Sequence, residues 1–277
     1  MKTIFLVFAG MADIPRESHG EATPLSVADM PSMAELAAAS TVTHYDPFNK
    51  GYELSPLNAM LSLFGYDFEK GIPLENHLKD FGFSENFNPS IFSHGALTIP
   101  FFSGHGATVT TSLIARGIGR LASLYPVDIY QPGNNNMQIA DTIASETLAQ
   151  IKVNEFVFAY VDFAYWASLN GDFDAKREAI ELIDSNIITP IADFVWHAKE
   201  KMNLAVSAGF IASSHKRQIE PGRVPALIYY NDFNHYNHIS SFNENLVKFD
   251  GSIPFEKPSD LIRHLALFIP PEEELPF

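Results

Sequence analysis

Thr3-Ile4-Phe5-Leu6-Val7-Phe8-Ala9-Gly10-Met11-Ala12-Asp13 begins as a short, continuous apolar run and closes on small residues and a carboxylate. Continuous rather than alternating apolarity is the pattern of a strand covered on both faces, as in a parallel sheet. Residues 156–161, 204–208 and 226–230 repeat it. Among these runs lie helix-like stretches at 32–39, 56–64, 137–150, 174–201 and 259–268. The clearest is 174–201, with Ile180, Ile183, Ile187, Ile191 and Phe194 at helical spacing. Pro190 predicts a kink in that helix, or its division in two, because proline lacks the N–H that a helix interior uses. Strands alternating with helices predict an α/β protein, a mostly parallel central sheet between two helix layers.

The 277 residues carry 33 Asp and Glu against 18 Lys and Arg, a formal net charge of −15. A nucleic-acid partner calls for a basic stripe, and the one dense basic run is His215-Lys216-Arg217, so no such partner is expected. With 46% hydrophobic residues and no repeat, the chain reads as a single domain over residues 1–277. No stretch reads as a membrane span, and residues 3–8 are too short for the apolar core of a signal peptide. A cytoplasmic protein with no membrane partner is therefore expected. The absence of cysteine removes disulfides, thiolate nucleophiles and thiolate metal sites.

Several blocks carry a resemblance. Phe5-Leu6-Val7-Phe8-Ala9-Gly10-Met11-Ala12-Asp13 is followed by Thr23-Pro24-Leu25-Ser26-Val27-Ala28-Asp29-Met30-Pro31-Ser32-Met33-Ala34-Glu35-Leu36-Ala37. Then come Leu61-Ser62-Leu63-Phe64-Gly65-Tyr66-Asp67, Gly117-Ile118-Gly119-Arg120-Leu121-Ala122, Gly171-Asp172-Phe173-Asp174-Ala175-Lys176 and Val224-Pro225-Ala226-Leu227-Ile228-Tyr229. In this order they resemble the archaeal-type, cofactor-independent phosphoglycerate mutases of the alkaline phosphatase superfamily. Those begin I-L-D-G-M-G-D and continue T-P-L-x-x-A-x-T-P-x-M-D-x-L-A. The resemblance implies an alkaline-phosphatase-like three-layer sandwich. It also implies that a large inserted mutase domain is missing, since only residues 80–104 bridge the place where the family carries it.

The family resembled uses two divalent cations, such as Mn or Zn, to activate a Ser or Thr nucleophile and clamp phosphoryl oxygens. Here its first-strand aspartate falls on Ala9 and its nucleophile on Pro56. Its P-D-E-A-G-H-D-G-D run turns an aspartate into Tyr165 and a histidine into Leu169. Its D-H pair falls on Gly209 and Phe210, and its last ligand histidine on Ile219. No catalytic residue and no metal is therefore expected. The replacements have a physical logic, because acidic ligands without cations would be buried like charges. Leu, Phe, Ile and Tyr instead fill a cleft, each worth roughly 1.5–3 kcal/mol when fully buried.

Asp13, Ser55, Asp162, Arg116, His215 and Arg217 remain as a possible residual polar site. Ser55 before Pro56 is the expected N-cap and first-turn pair, although one residue of slippage would bring it to the nucleophile position. Asp13 reads as tying down a turn, and Asp162 and Asp172 as caps at strand and helix ends, with metal ligation the other reading. The run 215–217 reads as a solvated turn or a residual anion contact. His235 and His238 could share a metal only with Asp232, and residues 229–242 read instead as a polar, aromatic surface loop.

Phe81, Phe83, Phe87, Phe92, Phe101 and Phe102 give the bridge its aromatic character. It reads as a loop over the old cleft or as a self-association surface. The expectation is a non-catalytic member of the family resembled, acting as a binding or regulatory module. Its homodimer or protein partner would sit on 81–102 or 229–242. The alternatives are a metal-dependent phosphomutase or phosphatase with a rearranged site, and a purely structural homo-oligomer.

Overall fold

In the computed structural model, which describes residues 1–48, 51–65, 106–129, 133–233 and 236–267, the opening run forms strand β1 (Lys2–Phe8). Six of its seven residues are buried, as its unbroken apolarity requires. Helices α1 (Pro24–Val27) and α2 (Pro31–Ala38) lead to β2 (Thr41–Tyr45) and α3 (Pro56–Leu63). After residues 66–105 come β3 (Gly106–Val109), α4 (Leu113–Leu121), β4 (Tyr125–Val127) and α5 (Asn136–Val153). Then follow β5 (Phe156–Val161), α6 (Phe163–Asn170), α7 (Phe173–Ile183), α8 (Thr189–Trp196) and β6 (Met202–Ser207). A hairpin of β7 (Ile211–Ser213) and β8 (Gln218–Glu220) precedes β9 (Val224–Tyr230), β10 (Ile253–Pro254) and α9 (Ser259–Leu267).

Among the described residues, eight strands form one sheet in the order β10-β2-β9-β6-β1-β5-β3-β4. All neighbours run parallel except β9, which is antiparallel to both β2 and β6. One face is covered by α3, α4 and α9: Phe64 at the end of α3 meets Phe158 edge-on at 5.0 Å, and His264 of α9 bonds the Tyr230 hydroxyl at 2.8 Å. On the other face α5 packs over β1, β3 and β5, and α8 over β6, with α2 and α7 around them. This is the α/β sandwich expected. Among the described residues, no helix is long and apolar enough to cross a membrane.

Two expectations are corrected. The helix predicted over 174–201 ends at Trp196 and contains a five-residue π-helix, Asp184–Ile188, just before Pro190. There the Thr189 N–H donates to the Asp184 carbonyl, five residues back. The wider turn accommodates a ring that would otherwise press on the carbonyl four residues before it. Residues 229–242 are not a surface loop throughout. Tyr229 and Tyr230 end β9, Tyr230 and Phe242 are buried, and Tyr236 and His238 are exposed. His235 and the whole bridge 80–104, with its six phenylalanines, lie outside the described residues.

Candidate functional site

The carboxyl ends of β1, β5 and β6 meet at one rim, where open α/β sheets usually place their ligands. Ala9 follows β1, is fully buried, and its N–H donates to the Val161 carbonyl at 2.8 Å. Gly209 follows β6 with φ +71°, and a Cβ there would stand 2.8 Å from the Phe8 carbonyl oxygen and 3.0 Å from Ala9 Cα. Gly10 has φ +65°, and a Cβ on it would lie 2.9 Å from Cα and Cβ of Tyr165 and from Cβ of Ala212. Glycine at both positions thus lets α6 and the β6 exit close on the β1 exit loop.

Positions 9, 165, 209 and 210 therefore converge, and aromatic rings occupy the place. Phe210 is 1% exposed. Its ring meets Tyr165 edge-on at 5.3 Å and 80°, and lies 6.3 Å from the ring of Phe48. Phe48 follows β2 in a segment with no motif to mark it, so its part could not be read from the residues around it. Burial pushes the Tyr165 phenol up, and nearby Asp162 adds to the shift. Leu169 on α6 and Ile219 on β8 are partly buried, with α6 packed against β7 of the hairpin.

The cations implied by the resemblance do not fit these residues. The seven positions offer one side-chain oxygen between them, the Tyr165 phenol, where a dinuclear site needs converging carboxylates and imidazoles. Among the described residues, no group of three or more His, Asp or Glu could hold a metal ion. Ser55 is the N-cap of α3, its hydroxyl accepting from Asn58 N–H at 3.2 Å, and Pro56 takes the first turn. The cap reading holds, and that hydroxyl is engaged.

Asp13 ties down a turn, as expected, and does more. Its Oδ1 accepts from the Ile14 N–H, and its Oδ2 accepts from Ser214 N–H and Lys176 Nζ, each at 3.0 Å. Lys176 is 0% exposed, and its Nζ also donates to the carbonyls of Ala12 at 3.0 Å and Ala212 at 2.7 Å. Three acceptors match the three protons of an ammonium. Burial pulls Lys176 below the ordinary lysine value, and Asp13 and Glu244 oppose that pull. Glu244 takes the Asp13 N–H and the Thr23 hydroxyl, both at 2.9 Å, while burial pushes its carboxyl up. Glu244 lies 231 residues from Asp13 and no sequence pattern links them.

The other residual polar candidates lie outside the Asp13 cluster. Arg116 pairs with Asp128 at 3.7 Å. His215 and Arg217 are exposed in the β7–β8 turn, with Arg217 at φ +58° and its guanidinium against Gly171. Asp232 pairs with Lys201 at 2.7 Å. Asp172 caps α7, accepting from Ala175 N–H at 2.9 Å. Asp162 stands at the start of α6 but caps no backbone N–H, which corrects that expectation. Burial pushes its carboxyl up, and the neighbouring Trp166 indole pulls it part of the way back. Asp162 and Trp166 lie in a cleft of about 520 Å³, with Thr111, Asn136, Asn170 and Ala175 also among its walls.

The fold and rim define an alkaline-phosphatase-like α/β protein. The PH0037 protein from Pyrococcus horikoshii superposes with a TM-score of 0.73 at 20% identity, covering 96% of each chain. A cofactor-independent phosphoglycerate mutase from Thermoplasma acidophilum superposes with a TM-score of 0.56 at 13% identity, covering 95% of this chain and 98% of that one. In sequence, a 2,3-bisphosphoglycerate-independent phosphoglycerate mutase of Methanosarcina mazei is 24% identical over 157 residues, 57% of this chain and 39% of the relative. That of Methanosarcina acetivorans is 28% identical over 165 residues, 58% of this chain and 40% of the relative. The match thus spans about two fifths of these relatives' length. No family model matches. The chain is a distant homologue of the cofactor-independent phosphoglycerate mutases, as its sequence blocks imply.

Proposed function

We infer that this chain acts as a binding protein on a phosphoglycerate-mutase-like scaffold and performs no phosphoryl transfer at the rim where the family resembled would hold its metals. The observation that carries this is the buried ring of Phe210, packed against Tyr165 and Phe48 beside Ala9. The Phe210 and Phe48 rings supply no ligand to a cation and no donor to a phosphoryl oxygen, and the Tyr165 phenol is one oxygen where a dinuclear site needs several. A second copy or a protein partner belongs to the same reading, with Tyr236, 80% exposed, as its contact within 229–242.

The test is turnover. Purified protein supplied in turn with Mn, Zn and Mg should neither interconvert 2- and 3-phosphoglycerate nor hydrolyse p-nitrophenyl phosphate above a protein-free blank. Metal-dependent turnover that disappears in Ser55→Ala would establish a rearranged phosphomutase or phosphatase site instead.

A further inference from the structure

We propose that the cleft beside α6 binds a neutral, hydroxyl-rich ring, either a free sugar or the sugar of a nucleoside. This rests on reading the chain as a binding protein and adds a ligand class. Helix α6 separates two surfaces. Phe163, Trp166, Ala167 and Asn170 recur at i, i+3, i+4 and i+7, and these line the cleft. Tyr165 and Leu169, the positions of lost ligands in the family resembled, fall on a different face of the same helix. The cleft is thus distinct from the aromatic-filled rim.

Its chemistry selects the ligand. A volume of about 520 Å³ suits a small molecule. Trp166 is 57% exposed and stands one helical turn from Asp162, its backbone N–H donating to the Asp162 carbonyl, so the cleft offers a flat apolar ring near a carboxylate. The Thr111 hydroxyl, the Asn136 and Asn170 amides and the Asp162 carboxyl supply the donors and acceptors that ring hydroxyls need. Ala175 and Ala179, one turn apart on α7, leave the wall open. Among the described residues no Lys, Arg or His lines the cleft and one carboxylate does, so a phosphate ester would meet repulsion with no counter-charge there.

The chain has two tryptophans, Trp166 and Trp196, so Trp196→Phe leaves the cleft indole as sole reporter. This variant is titrated with glucose, galactose, mannose, N-acetylglucosamine, adenosine and uridine, and with 3-phosphoglycerate as the anionic comparison. Indole emission is followed, and calorimetry on the wild-type protein confirms the binding. At least one neutral ring should saturate the signal, and Asn170→Ala should weaken it about tenfold. Comparing the sugars with the nucleosides identifies the source. Saturation by 3-phosphoglycerate alone, no saturation by any neutral ring, or an affinity unchanged in Asn170→Ala overturns the proposal. If no ring binds and no phosphate ester is turned over, this proposal falls while the binding-protein reading stands; metal-dependent turnover of a phosphate ester overturns both.

Discussion

Ala9 and Asp13 are four residues apart on the same exit loop of β1, and their surroundings could hardly differ more. Around Ala9, positions that the resemblance aligns with metal ligands hold Tyr165, Gly209 and Phe210, and aromatic rings fill the space. Around Asp13, a carboxylate, an ammonium and a second carboxyl persist in the interior, with hydrogen-bonding partners on each. A buried charge is tolerable when opposite charge and hydrogen bonds surround it, and costly when they do not. Carboxylates at the rim would need cations from outside, whereas the Asp13 cluster carries its cation on α7.

Removing that internal cation should give the largest effect. Lys176→Met leaves Asp13 facing the interior without its counter-charge and should lower stability by about 3–5 kcal/mol in urea unfolding. Adding Asp13→Asn to Lys176→Met should recover part of the loss, and strict additivity of the two would break the contrast drawn here. At the rim, Phe210→Ala opens a cavity beneath Tyr165 and Phe48 and should cost about 3 kcal/mol by the same measurement. A loss under about 1 kcal/mol would mean that the rings do not pack as a core.

Gly209→Asp places a carboxylate at a position that the resemblance aligns with one. It also forces a side chain onto φ +71° and against Phe8 and Ala9. A loss of about 2 kcal/mol is expected, with no gain of Mn or Zn by elemental analysis. Bound metal in this variant would show that the rim is closer to a working site than its packing says.

The smallest effect is a pH dependence. Burial lowers the pKa of His264, and burial together with Arg223 lowers that of His44, both from the ordinary 6.5. In the window between each lowered value and 6.5, the unfolded chain binds the proton and the fold does not. Their contribution is therefore complete above pH 6.5 and falls as the pH drops through that window. Glu244, with its pKa raised, works in the opposite direction, losing stability as the pH rises through its raised value. Melting curves of His264→Gln and wild type between pH 5 and 7 isolate the imidazole, and the wild-type curve should fall more steeply on acidification.

Much of the fold was legible because β1, β5, β6 and the end of β9 are apolar on both faces and announce themselves without partners. Strand β2 is as deeply buried, but Thr41, Thr43 and His44 break its apolar run. Strands β3, β4 and β10 are four residues or fewer, too short for a period to show. At the rim, the seven positions came from the resemblance rather than from any local pattern, and four of them, 9, 165, 209 and 210, lie together in the fold. Phe48 was not readable, since packing gives it its part and no motif does. Nor was the bond between Lys176 and Asp13, which crosses 163 residues of chain.

The π-helix at Asp184–Ile188 has a consequence for how this chain can vary. Its wide turn holds one residue more than an α-turn, and its first member, Asp184, accepts from the N–H groups of Ser32 and Met33 at the start of α2. Delete a residue there and an ordinary turn would bring the Pro190 ring against a carbonyl. Pro190 and the surplus residue therefore form a pair in which the extra residue cannot leave before the proline. A shortened chain should be tolerated only with Pro190 already replaced, which makes this helix a small ratchet on the lineage's further change.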